Sequence, residues 1–392
     1  MSNDMKSQTK IAVLIGLHHA YGREVFRGIR SYAHPGTDWV IRCCPDQDDE
    51  SLRMIREWQP AGIIAHIGPT SDVVKLKALG IPIVVTGSAC KSSLPSVAID
   101  DVAIGKLAAE HLMNLGLTYF GFFGHSALEY SRGRQEGFFS TLQQREFSCL
   151  IHDESRPKPG KDYLSWRTAD ERMRKWLAAL PKPAGVLAYV DTDAIQLAEN
   201  CLAIGIQVPE EVTLMGVDND EALCLTTYPP LTSVACPLHQ LGYEAAAMLE
   251  RLMNAGLGTT TACESIVLPP TGVIIRKSTE MLAIEDPIIA KALRYIREHS
   301  CAGLRVDDLI QIIPMSRRAF ERRFAKLVGR SPLEEIYRCR IDHAKLLLRD
   351  THLPMPEVAE KAGFSDAKRL SAIFKEKTGQ SPTSYRKQHQ TF

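Results

Sequence analysis

The chain has 392 residues, 45% of them apolar, enough for two or three domains with cores of their own. No run approaches the ~20 apolar residues of a membrane span, and its ten cysteines include no C-x-x-C pair and no zinc spacing, so they read as reduced cytoplasmic thiols. The net charge of +1 conceals an asymmetry: from residue 281 onward there are 21 basic and 14 acidic groups, against 26 and 32 before it, and a basic module on an acidic body is the footprint of a DNA-binding domain fused to something else.

The first 280 residues read as strands alternating with helices. Ile11–Ile15 is an apolar strand behind Lys6 and Lys10, too short for a leader and without a small-residue cleavage site. A helix follows over Glu24–Tyr32, then the short strands Trp39–Arg42, Gly62–His66 and Ile81–Thr86. The helix Val102–Leu115 stops at Gly116, a favoured C-terminal residue. Phe120–Phe123 begins a second series, continued by Gly185–Val190, Thr213–Val217 and Thr232–Ala235. This alternation predicts two doubly wound parallel sheets, with ligands beyond the carboxyl ends of the strands.

Three strand ends carry polar side chains. Asp191-Thr192-Asp193 follows the strand ending at Val190, and Asp218-Asn219-Asp220 follows the one ending at Val217. After Phe120–Gly124 a loop runs through Tyr130 to Arg132 and Arg134, closing on Gly137-Phe138. Carboxylates accept from hydroxyl groups and guanidinium donates in a fork, which suits a monosaccharide. Taken one at a time, these Asp residues equally fit caps of the helices that follow.

The tail carries an internal repeat. F-x-x-x-x-G-x-S-P occurs as Phe324, Gly329, Ser331, Pro332 and again, 50 positions on, as Phe374, Gly379, Ser381, Pro382. A repeat at fixed offset means one structural unit built twice, here a helix-turn-helix. In the first unit Val306–Gln311 supports, Ser316 caps the recognition helix, and Phe320, Phe324 and Leu327 form its buried stripe, leaving Arg317, Arg318, Glu321 and Arg322 opposite. In the second, Glu357–Lys361 supports and Ser365 caps a helix with Leu370, Ile373 and Phe374 inward and Lys368, Arg369 and Ser371 outward. Leu333–Arg349 is a linker helix with Ile341, Ala344 and Leu348 on one side, holding the readers roughly one DNA turn, ~34 Å, apart.

Residues 8–278 resemble the effector-binding core of the LacI/GalR family, related to periplasmic sugar-binding proteins. The match lies in Ile99-Asp100, Gly105, His111-Leu112, Arg134-x-x-Gly137-Phe138, Gly216-Val217-Asp218-Asn219, Pro229–Val234, Leu268-Pro269-Pro270 and Arg276-Lys277-Ser278. The resemblance implies sugar contacts at Arg134, Asp191 and Asp218, with Asn frequent in the family where Asp191 stands. His19–Val25 resembles pentose-responsive members of this architecture, which adds Tyr21 to the ligand-binding set. Residues 287–388 resemble the AraC/XylS DNA-binding domain through Val358-Ala359, Gly363-Phe364, Phe374-Lys375, Gly379-x-Ser381-Pro382 and Tyr385-Arg386. That resemblance makes Arg318, Glu321, Arg322, Lys368, Ser371 and Ala372 base-facing. Arg317, Arg323, Arg330 and Lys375 are expected on phosphate or in solvent.

The expected fold is thus a two-lobed α/β core of periplasmic-binding-protein type over 8–279, followed by an all-α domain with two helix-turn-helix units over 287–388. The expected function is a sugar-responsive transcriptional regulator, by resemblance a homodimer that takes D-xylose or another pentose, binds operator DNA, and contacts RNA polymerase if it activates. It would be cytoplasmic and nucleoid-associated, with no catalytic residues, metal or cofactor. The alternative is a sugar-metabolising enzyme with Asp191-Thr192-Asp193 holding a metal. The sequence contains no Walker loop, GxSxG elbow, HExxH or strand-borne G-x-G-x-x-G to support it.

Overall fold

The computed structural model describes residues 8–33, 38–44, 49–66, 73–87, 94–154, 165–255, 264–280 and 286–389. It forms two compact units, Met1–Met281 and Leu282–Phe392. The first unit contains two six-stranded sheets. Strands β1 (Thr9–Leu14), β2 (Trp39–Cys43), β3 (Gly62–His66), β4 (Ile83–Thr86) and β5 (Ser96–Ile99) make one lobe with β11 (Ser265–Leu268), in the order β11-β5-β4-β3-β1-β2, all parallel. Strands β6 (Tyr119–Gly124), β7 (Cys149–Asp153), β8 (Ala184–Ala188), β9 (Val212–Asp218) and β10 (Thr232–Ala235) make the other with β12 (Gly272–Ile274). There β12 runs antiparallel to β10, an edge strand in an otherwise parallel sheet. The chain therefore crosses between lobes at Ile99–Asp101, after Ala235 and after Leu268.

Strands β5, β7, β11 and β12 were beyond the sequence reading. Each has three to five residues, too few to show a period, and β7 and β11 are half exposed edges. Helix α1 (Ala20–Tyr32) starts one turn before the expected Glu24. Gly22 permits this, because a Cβ there would stand 1.8 Å from the Gly16 carbonyl oxygen.

Close helix pairing fixes both lobes. In one, α4 (Asp101–Asn114) lies against α5 (Glu129–Gln143). A Cβ on Gly105 would come within 2.0 Å of the Arg134 carbonyl oxygen, and one on Gly137 within 1.9 Å of that of Val102. These reciprocal glycines bring the start of α4, with Asp101, against Arg134. Buried Phe120, Phe122 and Phe138 fill the space between these helices and the sheet, while Phe123 faces the other side of the sheet, against Trp176.

The second unit is all helical: α10 (Pro287–His299), α11 (Val306–Ile312), α12 (Arg317–Val328), α13 (Pro332–Asp350), α14 (Met355–Lys361), α15 (Ala367–Thr378) and α16 (Pro382–His389). The repeat is a pair of helix punctuations. Gly329 and Gly379 take left-handed φ of 76° and 78° and end α12 and α15, donating to the Ala325 and Lys375 carbonyls. Ser331 and Ser381 accept from the Glu334 and Ser384 amides as N-caps, each followed by Pro at the first helical position. Helix α13 serves both halves: Ile336 and Cys339 join the core of α10–α12, while Ile341, Ala344 and Leu348 join that of α14 and α15.

Two details correct the sequence reading. Leu327 is 38% exposed, and Val328 takes its place beside Phe320 and Phe324 in the core. The apolar pair 327–328 offered the stripe two continuations, and packing against α10 chose the second. The cap of α15 is Asp366, whose Oδ1 accepts from the Arg369 amide at 2.7 Å, while Ser365 only donates to Asp366.

Candidate effector cavity and nucleic-acid interface

A cavity of ≈ 540 Å³ lies between the lobes at the carboxyl ends of the strands, where doubly wound sheets place ligands. It is lined by Gly16, His18–Gly22 and His66 from one lobe and by Tyr130, Arg134, Tyr189–Asp193, Asp218 and Asp220 from the other. Tyr21, Arg134, Asp191 and Asp218, the four expected ligand residues, all line it.

Arg134 is its centre of positive charge and is 5% exposed. Its Nε donates to Asp101 Oδ1 at 3.0 Å, its Nη1 donates to the Tyr189 carbonyl, and Nη2 stands 3.6 Å from Asp218 Oδ1. Tyr130 lies under the guanidinium, 5.2 Å from ring centroid to Cζ. Burial opposes the charge, but Asp218 and Asp101 overcome it and hold the group protonated.

Asp218 and Asn219 occupy left-handed backbone, φ 97° and 54°. Such conformations cost on the order of 1–3 kcal/mol and persist only when their surroundings impose them. Here the Asn219 amide donates to Ser233 Oγ at 3.0 Å, Ser233 donates to Asp191 Oδ1 at 2.6 Å, and the Asp220 amide donates to Asp191 Oδ2 at 2.8 Å. Arg276 Nη2 reaches Asn219 Oδ1 at 2.8 Å. Asp191, 3% exposed, thus uses an oxygen on each side to hold the turn that presents Asp218. Burial and the nearby Asp218 push the Asp191 carboxyl up to about 7.

Asp218 Oδ1, which faces Arg134 Nη2 at 3.6 Å, and the Tyr21 hydroxyl, beside Thr86, are buried in this site without a hydrogen bond of ordinary geometry among the described residues. Burial raises both groups above their ordinary range. Buried polar atoms are nearly always satisfied, so both stand open to a partner from the cavity. His66, pushed down to about 4 by burial, lines the same wall as a neutral ring, with its centroid 4.9 Å from that of Tyr21. The sequence reading missed Asp101, Tyr189 and His66. Asp101 follows a true helix cap, Asp100, and only its pairing with Arg134 reveals it. Among the described residues no cluster of His, Cys, Asp and Glu could hold a metal ion.

On the tail, Arg317, Arg318 and Arg322 of α12 and Lys368, Arg369 and Ser371 of α15 are exposed, and Glu321 is half exposed. Not all are equally available. Arg317 pairs with Asp307 at 2.6 Å and Glu321 at 2.9 Å, so each neutralises part of the other. Arg369 Nη2 donates to the Tyr337 hydroxyl at 2.7 Å, tying the second recognition helix to α13. Of the expected phosphate contacts, Arg330 instead pairs with the fully buried Glu335 at 2.6 Å, and Arg323 pairs with Asp286. No helix among the described residues is long and apolar enough to cross a membrane.

Residues 109–279 match a periplasmic binding protein-like domain, and residues 309–388 match a helix-turn-helix domain. The chain is 28% identical to the xylose operon regulatory protein of Escherichia coli strain K12 over 388 residues, 96% of each chain. It is 26% identical to that of Haemophilus influenzae over 385 residues, covering 96% of this chain and 98% of the other. The solved structure of the xylose-binding transcription activator xylR superposes with a TM-score of 0.80 at 27% identity, over 98% of this chain and 99% of that one. The chain is therefore a sugar-responsive transcription regulator with an AraC-type helix-turn-helix tail on a periplasmic-binding-protein-like core, built throughout as the xylose operon regulators are.

Proposed function

We propose that the core binds a free pentose, D-xylose first, in the interlobe cavity, and that the bound sugar strengthens the hold of a homodimer on paired operator half-sites. The observation that carries this is the pair of unsatisfied buried atoms, Asp218 Oδ1 and the Tyr21 hydroxyl, beside the Arg134 guanidinium. Asp218 accepts a sugar hydroxyl, the remaining Arg134 donor capacity takes a ring or hydroxyl oxygen, and the aromatic rings of Tyr130 and Tyr189 wall the cavity. Asp191 lines the site and acts chiefly by holding the Asp218 turn. The relatives named for xylose support the choice of sugar. The regulator works in the cytoplasm, where DNA and RNA polymerase are, and we assign it no catalytic step.

On the tail, Arg318 and Arg322 read bases in the first unit, with Glu321 beside them restrained by Arg317. Lys368 and Ser371 read in the second, with Arg369 positioned by Tyr337. Arg is suited to bidentate reading of guanine in the major groove. The test is calorimetry of D-xylose, other pentoses and D-glucose, with and without a DNA of paired half-sites selected from random sequence. Linkage requires that if sugar tightens DNA binding, DNA tightens sugar binding by the same factor, typically about 5- to 150-fold. Equal sugar affinities with and without DNA would refute the coupling. No pentose binding at all would refute the effector assignment.

A further inference from the structure

We infer that Arg23 and Asp220 form a latch across the mouth of the cavity that sets how long an effector stays bound. The inference rests on the reading of the cavity as the effector site. The two residues belong to different lobes: Arg23 to the first turns of α1, beside β1, and Asp220 to the turn after β9. Their contact at 3.0 Å, from Arg23 Nη2 to Asp220 Oδ2, is a charge-assisted hydrogen bond that bridges the lobes.

Both ends are held ready for it. Arg23 Nη1 donates to the His18 carbonyl at 3.0 Å, which fixes the guanidinium to the cavity-lining loop it follows. Asp220 sits on the turn braced by Asp191, and its own amide is one of the two donors to that carboxylate. A hydrogen-bonded chain therefore runs from Ser233 in the sheet through Asp191 and Asp220 to Arg23. It passes the left-handed turn that presents Asp218, so a ligand seated on Asp218 and the latch depend on one braced piece of backbone. The Asp220 side chain is 10% exposed and that of Arg23 45%, so water reaches one partner and weakens the pair without abolishing it.

A pair that merely stabilises the fold and a latch differ in kinetics. A ligand enters while the lobes are apart, before the pair has formed, and leaves only after the pair has broken. The latch therefore acts on the dissociation rate and hardly on the association rate, whereas a purely structural pair moves the melting temperature alone. A partly exposed charged pair of this kind should slow release by about 3- to 10-fold. Salt should speed release of the wild type toward the unlatched value, since the pair is partly open to screening.

The experiment is stopped-flow kinetics of D-xylose on the full chain, comparing wild type with Arg23→Met, Asp220→Asn and the exchanged pair Arg23→Asp/Asp220→Arg, each over a range of NaCl. We expect both single variants to release xylose about 3- to 10-fold faster at an unchanged association rate, without salt dependence, and the exchanged pair to recover part of the wild-type residence time. Xylose binding with wild-type release in the single variants would overturn the latch and leave the effector assignment standing. Should the variants fail to fold, salt-independent release from the wild type would overturn it equally. Absence of any xylose binding by the wild type would overturn the effector assignment and the latch together.

Discussion

Asp218→Asn should move stability and binding in opposite directions. With the lobes closed Asp218 is a buried carboxyl raised by burial, with Oδ1 lacking a hydrogen bond of ordinary geometry and Arg134 Nη2 only at 3.6 Å. Arg134 keeps Asp101 and the Tyr189 carbonyl when Asp218 loses its charge. Asn also tolerates the φ of 97° at this position at least as well as Asp. Burial outweighs the pull of Arg134 on this carboxyl, so a neutral amide in its place should raise the stability of the core, by on the order of 1 kcal/mol. Sugar binding loses the charged acceptor, and a hydrogen bond to a charged group is worth about 1.5–3 kcal/mol, roughly 10- to 150-fold in affinity. Urea unfolding without sugar and calorimetry with D-xylose measure the two. A variant that is less stable and binds xylose as the wild type does would refute both the reading of Asp218 as an unpaid acceptor and its role in the site.

On the tail, Arg322→Ala should cost about 1–3 kcal/mol on the cognate operator and relax base preference at one position, as read by titration against cognate and scrambled DNA. Arg330→Ala should lower stability and leave the salt dependence of DNA binding nearly unchanged, because it strips a partner from fully buried Glu335, which retains Arg338 at 2.8 Å. The comparison of unfolding and salt titrations separates these outcomes. The contribution of Asp191 to core stability should fall as pH rises from about 4 to 7, against an opposite contribution from His66, held at about 4 in the fold. Asp191, at about 7 in the fold and near 4 unfolded, binds a proton more tightly in the native state across that window, so the unfolded chain binds fewer protons there and deprotonation favours it. The difference in melting temperature between wild type and Asp191→Asn, which leaves His66 in both, should follow this slope. Asn can still accept from the Asp220 amide and donate to Ser233 Oγ.

How much could be read in advance follows from how local each requirement is. The tail punctuation G-x-S-P was legible because each residue answers to one backbone need: left-handed φ, a cap, a fixed φ without an amide. Asp218 was legible because the carboxyl end of a strand is a place, and a carboxylate there is chemistry. Asp191 was found as a position, yet its task is set by Ser233, 42 residues on, and no local pattern could report that both of its oxygens are engaged. Asn219 and Arg276, matched only as parts of a resemblance, turn out to hold each other across 57 residues. Asp101 was missed, and the ion pairs of Arg330 and Arg323 were not foreseen, for the same reason: each depends on a partner on another helix or in another loop.

Arg323 shows what such a partner changes. The described residues of the tail begin at Asp286. There Asp286 caps α10, its Oδ1 accepting from the Ile288 and Ile289 amides at 3.1 and 3.4 Å, while its Oδ2 holds Arg323 of the first recognition helix. Asp286 is 7% exposed, and Ile289, Leu293 and Phe324 pack in one core, so the entry of the tail and its first reading helix form one piece. The second unit is carried by α13, through Ile341, Ala344 and Leu348, by Arg369 on Tyr337, and by Gly363, where a Cβ would stand 2.7 Å from the Ser300 carbonyl oxygen just past α10. A displacement of the tail's first residues therefore moves the first reader directly and reaches the second through α13 and through the Gly363 contact with Ser300 and Cys301. A phosphate recruiting Arg323 would have to displace Asp286, which would loosen the cap of α10 at the same point. One carboxylate, that of Asp286, thus serves both the cap of α10 and the first recognition helix.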